Sequence, residues 1–173
     1  MKVLGAILAG GASRRFGSDK ALALIEGRPM LEHVAARLAA QCDGLIICGR
    51  EWPGFVSAAD RPLPGLGPLG GLAGALAYAV EQRFEAVLTA GCDLPRLPLD
   101  LRERLGPPDV IVQGQPTIGL WRSELAEQLE SWLGATSDRS IRAWATEVGA
   151  GRIALDEPLA NINTPADLDP FER

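Results

Sequence analysis

The run Val3-Leu-Gly-Ala-Ile-Leu8, followed at once by Gly10-Gly11, constrains this chain more than any other stretch. Unbroken apolar residues without alternation need burial on both faces. That is the situation of a central strand in a parallel sheet with helices above and below. A polar loop follows, and Pro29 stands where a first helical residue would. Leu31, Val34, Ala35 and Leu38 then recur at helical spacing. Leu45-Ile-Ile-Cys48, bounded by Asp43-Gly44 and Gly49, reads as a second buried strand. Strand, helix and strand in this order imply a right-handed crossover and a doubly wound sheet. The expected fold class is therefore α/β: a Rossmann-like, mostly parallel sheet flanked by helices.

The rest of the chain continues the pattern. Phe55 to Ala59 alternates and ends at Asp60, and Arg61 to Gly74 is dense in Gly and Pro and reads as a long loop running into an apolar helix, Leu72 to Val80. Phe84 to Ala90 reads as a third strand, and Asp109 to Gln113 and Thr117 to Trp121 as two more around a turn at Gly114. Helical patterns cover Ser123 to Leu133 and Ser140 to Val148, with both serines placed as N-caps. Arg152 to Leu155 fits an edge strand, and Thr164-Pro165 starts a last short helix. There is no internal repeat, and 173 residues suit one domain, 1–173.

Composition excludes several function classes. Apolar residues make up 47% and charged residues 23%, which is globular usage. A net charge of −5 leaves no basic face to neutralise nucleic-acid phosphates. Three cysteines (Cys42, Cys48, Cys92) and one histidine (His33) build neither a disulfide framework nor a structural zinc site. No stretch approaches the roughly 18 apolar residues of a membrane span, and the N-terminal apolar run is too short for a signal peptide. The expectation is a soluble, cytoplasmic protein with no nucleic-acid or membrane partner.

The residues that carry chemistry follow the strands. Leu8-Ala9-Gly10-Gly11 through Asp19-Lys20 leaves the first strand at the end where open α/β sheets place ligands. Glycines let backbone N–H groups approach a phosphate, and Arg14, Arg15 and Lys20 add cations. The loop is neither of two familiar phosphate motifs: the chain contains no Gly-Lys pair, and Gly5, Gly10, Gly11 and Gly17 around the first strand do not have GxGxxG spacing. Lys20 is one of two lysines against fifteen arginines, which suggests a need for a compact ammonium, although a solvated loop lysine is the plainer alternative. Asp93 in Gly91-Cys-Asp-Leu-Pro95 sits at a strand tip as an Mg²⁺ ligand would, or as a turn aspartate. Pro64 to Leu72 can form a wall for a flat base or merely a crossover loop. Asn161 and Asn163, the only asparagines, can face a polar ligand or cap the last helix. His33 and Trp121, Trp132 and Trp144 read as structural, and Asp60 alone reads as a surface turn residue.

Together these blocks resemble the molybdenum cofactor guanylyltransferase family of MobA-like nucleotidyltransferases. The resemblance runs from Ala6 to Leu168. It rests on Leu8-Ala-Gly-Gly11 with Asp19-Lys-Ala21, Gly67-Pro-Leu-Gly-Gly71, Cys92-Asp-Leu-Pro95, Pro116-Thr-Ile-Gly-Leu120 and Asn161-Ile-Asn-Thr-Pro165. It implies transfer of GMP from GTP to the terminal phosphate of molybdopterin, with Mg²⁺ and release of pyrophosphate. It further implies that Leu8, Ala9, Gly10, Gly11, Asp60 and Asp93 hold the nucleotide, that Lys20 meets its phosphates with Arg15 beside it, and that Asp93 binds the metal. Asn161 and Asn163, with the region of Arg139 and Arg142, fall on the molybdopterin side. Molybdoenzymes or their chaperones would receive the product. The sequence departs from the family pattern at Ile46 to Arg50, which has no asparagine, and at Gln115, where many relatives have a basic or histidine residue before the proline. Rival readings are a CTP-dependent enzyme with the same loop and a non-catalytic cofactor carrier. A nicotinamide-dependent oxidoreductase is disfavoured because the loop after the first strand lacks the GxGxxG spacing.

Overall fold

The computed structural model describes residues 1–11 and 19–171. A seven-stranded sheet is built from β1 (Val3–Leu8), β4 (Gly44–Cys48), β5 (Val56–Ala58), β6 (Ala86–Gly91), β7 (Val110–Val112), β8 (Gln115–Arg122) and β9 (Gly151–Ile153). A separate hairpin joins β2 (Leu24–Ile25) to β3 (Arg28–Pro29). The spatial order is β5-β4-β1-β6-β8-β7-β9. Pairing is parallel throughout except at β8, which runs antiparallel to both β6 and β7.

Side-chain alternation on β1 assigns the two faces. Val3 and Ile7 point into one cluster with Leu31, Val34 and Leu38 of α1 (Met30–Ala39) and Leu101 and Leu105 of α3 (Leu101–Leu105). Leu4, Ala6 and Leu8 point into the other. That second cluster contains Leu69, Leu72 and Leu76 of α2 (Gly67–Glu81), Leu129 and Leu133 of α4 (Ala126–Ala135) and Trp144 of α5 (Ile141–Glu147). Helices thus cover both faces, as the uninterrupted apolar run requires.

The chain moves outward from β1 through α1 to β4 and β5, then returns through α2 to β6 on the other flank of β1. The winding direction therefore reverses between β1 and β6. Their C-terminal ends, which are in register from Val3↔Ala86 to Leu8↔Gly91, flank the crevice that such a reversal opens.

Several local expectations need correction. α2 begins at Gly67, not Leu72, so the supposed loop glycines 67, 70, 71 and 74 are helical. Gly70, Gly71 and Gly74 are there because the helix lies close against its neighbours: Gly70 and Gly71 face side chains of Asp60, Cys48 and Leu8, and a Cβ on Gly74 would stand 2.1 Å from the Ala59 carbonyl oxygen. The third strand begins at Ala86, and Glu85 instead donates its N–H to the Lys2 carbonyl. Ser140 caps α5, its hydroxyl accepting from Ala143 N–H at 3.1 Å. Ser123 does not cap α4. Its hydroxyl donates to the Glu85 carbonyl, and a 3-10 turn (Ser123–Leu125) precedes the helix. Pro29 is the N-cap of α1 and not its first residue. The β2–β3 hairpin was not anticipated. Its Glu26-Gly27 turn has positive φ at both positions, the backbone twist that suits a two-residue connection.

Candidate active site

The crevice at the ends of β1 and β6 is a cavity of about 210 Å³ lined by Leu8, Ala9, Gly10 and Gly11, by Asp19, Lys20 and Ala21, by Pro68, by Gly91, Cys92 and Asp93, and by Thr117. Ala9 donates its N–H to the Cys48 carbonyl at 3.0 Å, so the strand pairing continues into the first loop residue. Past it the backbone must cross close to Gly49. A Cβ on Gly49 would lie 2.6 Å from the Gly10 Cα, and Gly49 itself has a φ of +83°. Two glycines are therefore needed at one crossing.

Lys20 opens a 3-10 turn (Lys20–Leu22) whose N-cap, Asp19, accepts from the Ala21 N–H at 3.2 Å. The other Asp19 contacts are to Arg50, at 2.8 and 2.6 Å. The Arg50 guanidinium, bonded to Asp19, holds its carboxyl below the usual carboxylate range against a smaller opposing effect of burial. Lys20 is thereby turned inward, where its Nζ meets Asp93 Oδ2 at 3.1 Å with both side chains largely buried.

Asp93 stands two residues beyond the end of β6. Its Oδ1 lies over Gly91, where a Cβ would stand only 2.6 Å away. Its Oδ2 receives both Lys20 and the Asn161 amide, the latter at 3.2 Å. Its carbonyl accepts the Ile162 N–H at 2.9 Å. Ile162 is buried beside Ile25 and Met30, which anchors the C-terminal segment to the hairpin and to α1. Cys92 also lines the cavity, but burial chiefly, and the Asp93 charge next, push its thiol up to about 11, so no nucleophilic thiolate forms there at neutral pH.

The N-terminus of α2 reaches the same cavity through Pro68, and its N-cap residue, Leu66, supplies no side-chain cap. A 15-residue helix starting at the crevice presents partial positive charge to it. Beside it lies a second cavity of about 430 Å³, lined by Gly49, Arg50, Glu51, Ser57, Ala58, Ala59, Asp60, Pro64 and Gly65. Asp60 accepts backbone N–H groups of Gly65 and Leu66, yet burial outweighs them and raises its carboxyl above the usual range. Its Oδ1 is buried and without a hydrogen-bond partner among the described residues. A buried carboxylate oxygen left in that condition is an acceptor in wait of a donor.

The structure thus brings Leu8, Ala9, Gly10, Gly11, Lys20 and Asp93 together in one crevice and places Asp60 in the adjoining cavity. Asn161 reaches the site through Asp93. Asn163 instead lies exposed at the surface, its N–H and that of Thr164 both donated to the Asp167 carboxylate at 2.8 Å. The last helix is a 3-10 segment (Pro165–Phe171) held by that aspartate. Arg15, with Ser13 and Arg14, lies outside the described residues. Arg139 and Arg142 are exposed around the start of α5. His33 is structural, its Nε2 2.8 Å from the Ile25 carbonyl oxygen, and Trp121 and Trp144 are fully buried while Trp132 is half-buried.

Sequence reasoning missed Asp19, Arg50, Thr117 and the role of Gln115. Gln115 and Asn161 hydrogen-bond each other through both amide groups. No local signal marks a pair 46 residues apart, although both were conspicuous, one as a departure from the family pattern and one as a rare residue type.

A family model described as the MobA-like NTP transferase domain matches residues 5–148. The chain is 34% identical over 180 residues to a molybdenum cofactor guanylyltransferase of Acidiphilium cryptum, covering 96% of this chain and 92% of that protein. It is 35% identical over 179 residues to one of Rhodobacter capsulatus, covering 97% and 94%. Among solved structures, molybdopterin-guanine dinucleotide biosynthesis protein A of Archaeoglobus fulgidus superposes with a TM-score of 0.77 at 20% identity, covering 98% of this chain and 96% of that one. The shared fold, the near-complete coverage of these relatives and the match across the glycine loop, α2 and the Asp93 turn agree, and the chain belongs to the MobA-like NTP transferase family.

Proposed function

We propose that this chain, as a single nucleotidyltransferase domain, transfers GMP from GTP to the terminal phosphate of molybdopterin carrying molybdenum, releasing pyrophosphate. The meeting of Lys20 and Asp93 at 3.1 Å, beneath glycine-loop amides at the β1–β6 reversal, carries this reading. It sets one cation and one carboxylate where a triphosphate meets a sheet's ligand-binding edge.

The chemistry asks little of acid–base groups. A phosphate oxygen of molybdopterin is already anionic at neutral pH, attacks the α-phosphorus of GTP, and displaces the bond to the β-phosphate. Backbone N–H groups of Gly10 and Gly11, the start of α2 and the Lys20 ammonium would offset charge on the departing pyrophosphate. Arg15 is proposed on sequence grounds as a further cation. Leu8 and Ala9 support the nucleotide from below.

Asp93 is proposed as the protein's ligand to Mg²⁺. No group of three or more acidic, histidine or cysteine side chains capable of holding a metal exists among the described residues. A lone carboxylate nonetheless suits a hard cation that keeps waters and takes its remaining ligands from substrate phosphates. The fit is local: Lys20 and Asn161 both engage Oδ2, and Oδ1 lies over a glycine with no side chain in the way. When bound, Mg²⁺ neutralises phosphate charge and orients the phosphates for in-line displacement.

The base is placed in the cavity beside Asp60. Guanine presents two adjacent donors, N1–H and the 2-amino group, which the Asp60 carboxylate complements once its buried, unpartnered Oδ1 turns toward the cavity. Cytosine offers one donor followed by acceptors on the same edge, so this feature favours GTP over CTP. Asn161 and Asn163 are assigned to the acceptor side, and molybdoenzymes or their chaperones to receipt of the product. No helix among the described residues is long and apolar enough to cross a membrane. A reducing cytoplasmic setting is proposed from three cysteines that remain free.

Calorimetry with GTP, CTP, ATP and UTP, each with and without Mg²⁺, tests the nucleotide. Pyrophosphate release with molybdenum-loaded molybdopterin tests the acceptor. GTP binding strengthened by Mg²⁺ and GTP-specific release are expected. A preference for CTP would move the assignment to cytidylyl transfer, and binding without release would leave a carrier.

A further inference from the structure

The Asn161 amide has both of its N–H donors and one lone pair of its oxygen engaged within the protein. Its Nδ2 donates to Asp93 Oδ2 at 3.2 Å and to Gln115 Oε1 at 3.3 Å, and its Oδ1 accepts from Gln115 Nε2. The orientation is not arbitrary. A carboxylate oxygen can only accept, so the nitrogen of Asn161 must face Asp93 and its oxygen must face away. Gln115 supplies the complementary donor and acceptor that fix this choice. It can do so because it is the first residue of β8, placed at the cleft by the hairpin through Gly114 (φ +81°) and by the register shift between Ile111 and Val112.

We propose that Gln115 is a positioning residue for the transfer reaction, acting through Asn161 on the Asp93 carboxylate, and that Asn161 serves this clamp in place of a direct contact with the acceptor. The inference rests on the assignment of Asp93 to the reacting phosphates. With the clamp in place Asn161 and Lys20 share Oδ2, and Oδ1 keeps its position above Gly91. Without Gln115 the Asn161 amide is free to turn, its oxygen reaches toward Lys20, and the carboxylate loses one of two holds on Oδ2. The main chain does not depend on the clamp: Ile162, 1% exposed, and its N–H bond to the Asp93 carbonyl anchor the segment independently.

The test compares Gln115→Met, Asn161→Leu and the double variant of the full chain. Each single variant is expected to lower kcat about tenfold, in the range for loss of a supporting hydrogen bond. The double variant should be no worse than either, because both act through one carboxylate. KM for GTP and for the acceptor should stay within about twofold of wild type. The Asn161 side-chain amide resonances should shift in Gln115→Met, a change that loss of a substrate contact would not produce in the unliganded protein. If Gln115→Met does not fold, Gln115→Asn, one methylene too short to reach, gives the same readouts. Multiplicative losses in the double variant, a raised acceptor KM at unchanged kcat, or an unmoved Asn161 amide would each overturn the proposal. If the wild-type protein transfers no GMP, guanylyl transfer itself fails, and the amide spectra alone then decide whether Gln115 holds Asn161.

Discussion

Lys20 and Asp93 are 73 residues apart in the chain and 3.1 Å apart in space, and each limits where the other can point. On the proposed function, replacing Lys20 with alanine removes a preorganised cation from the phosphates, and a loss of about 3–4 kcal/mol of transition-state stabilisation, or roughly 10²–10³ in kcat, is expected. Lys20→Arg keeps the charge but replaces a compact ammonium with a planar fork, and recovery of less than about a tenth of the lost rate is expected. Pyrophosphate release by the two variants checks both. Asp60 predicts the opposite sign for stability. Its folded-state carboxyl is raised by burial, so the folded protein disfavours the carboxylate relative to the unfolded chain. The resulting destabilisation is absent below the unfolded pKa, grows as pH rises, and is complete above the folded one. Asp60→Asn should therefore raise the melting temperature at pH 7 more than at pH 4, while weakening GTP binding measured by calorimetry. Such an exchange of stability for a ligand acceptor is common at functional sites. Lys20 and Asp93 were legible in the sequence because a scarce residue type and a strand-tip carboxylate each carry local signals. The Gln115–Asn161 and Asp19–Arg50 contacts were not, since only the folded chain brings them together.

Among the elements, α2 shows why local propensity misleads. Glycine and proline are poor helix formers, so Arg61 to Gly74 reads as loop. The helix nevertheless starts at Gly67, because only small residues let it approach the Asp60 loop and the tips of β1 and β4. The strands were legible for the converse reason. Fully buried runs such as Val3–Leu8 need no long-range information to be recognised, and Ser140 was legible as a cap from its place before an apolar helical pattern. Two glycine substitutions separate propensity from packing. Gly74→Ala improves intrinsic helix propensity by about 1 kcal/mol. It also places a Cβ 2.1 Å from a backbone oxygen, which rigid neighbours cannot relieve. Overpacking of that kind costs about 1–3 kcal/mol or more, so a net loss of stability is expected. Gly134→Ala near the end of α4 meets nothing within 4 Å and should stabilise by about 0.5 kcal/mol. Urea unfolding midpoints at unchanged slope read the two signs directly.

At the scale of the molecule, the reversal of winding between β1 and β6 collects the site from the length of the chain. Residues 8–11 leave β1, Lys20 precedes the hairpin, Pro68 lies in the first turn of α2, Asp93 follows β6, Thr117 comes from the lone antiparallel strand, and Asn161 arrives from the C-terminal segment. A ligand in that crevice therefore touches both flanks of the sheet and the segment that closes its end, and unfolding any of them releases it. Binding to the folded state alone stabilises by about 2.7 kcal/mol at a ligand concentration of 100 times Kd. For a chain of this length that corresponds to roughly 5–10 °C in melting temperature. GTP with Mg²⁺ should produce a shift of that size. CTP at the same concentration should produce less, because cytosine cannot give the Asp60 carboxylate two adjacent donors. Lys20→Ala should reduce the GTP shift, and Asp60→Asn should narrow the difference between the two nucleotides. Equal shifts with GTP and CTP in the wild-type protein would show that the Asp60 cavity does not read the base, while a shift absent with every nucleotide would remove the crevice at the β1–β6 reversal as the binding site.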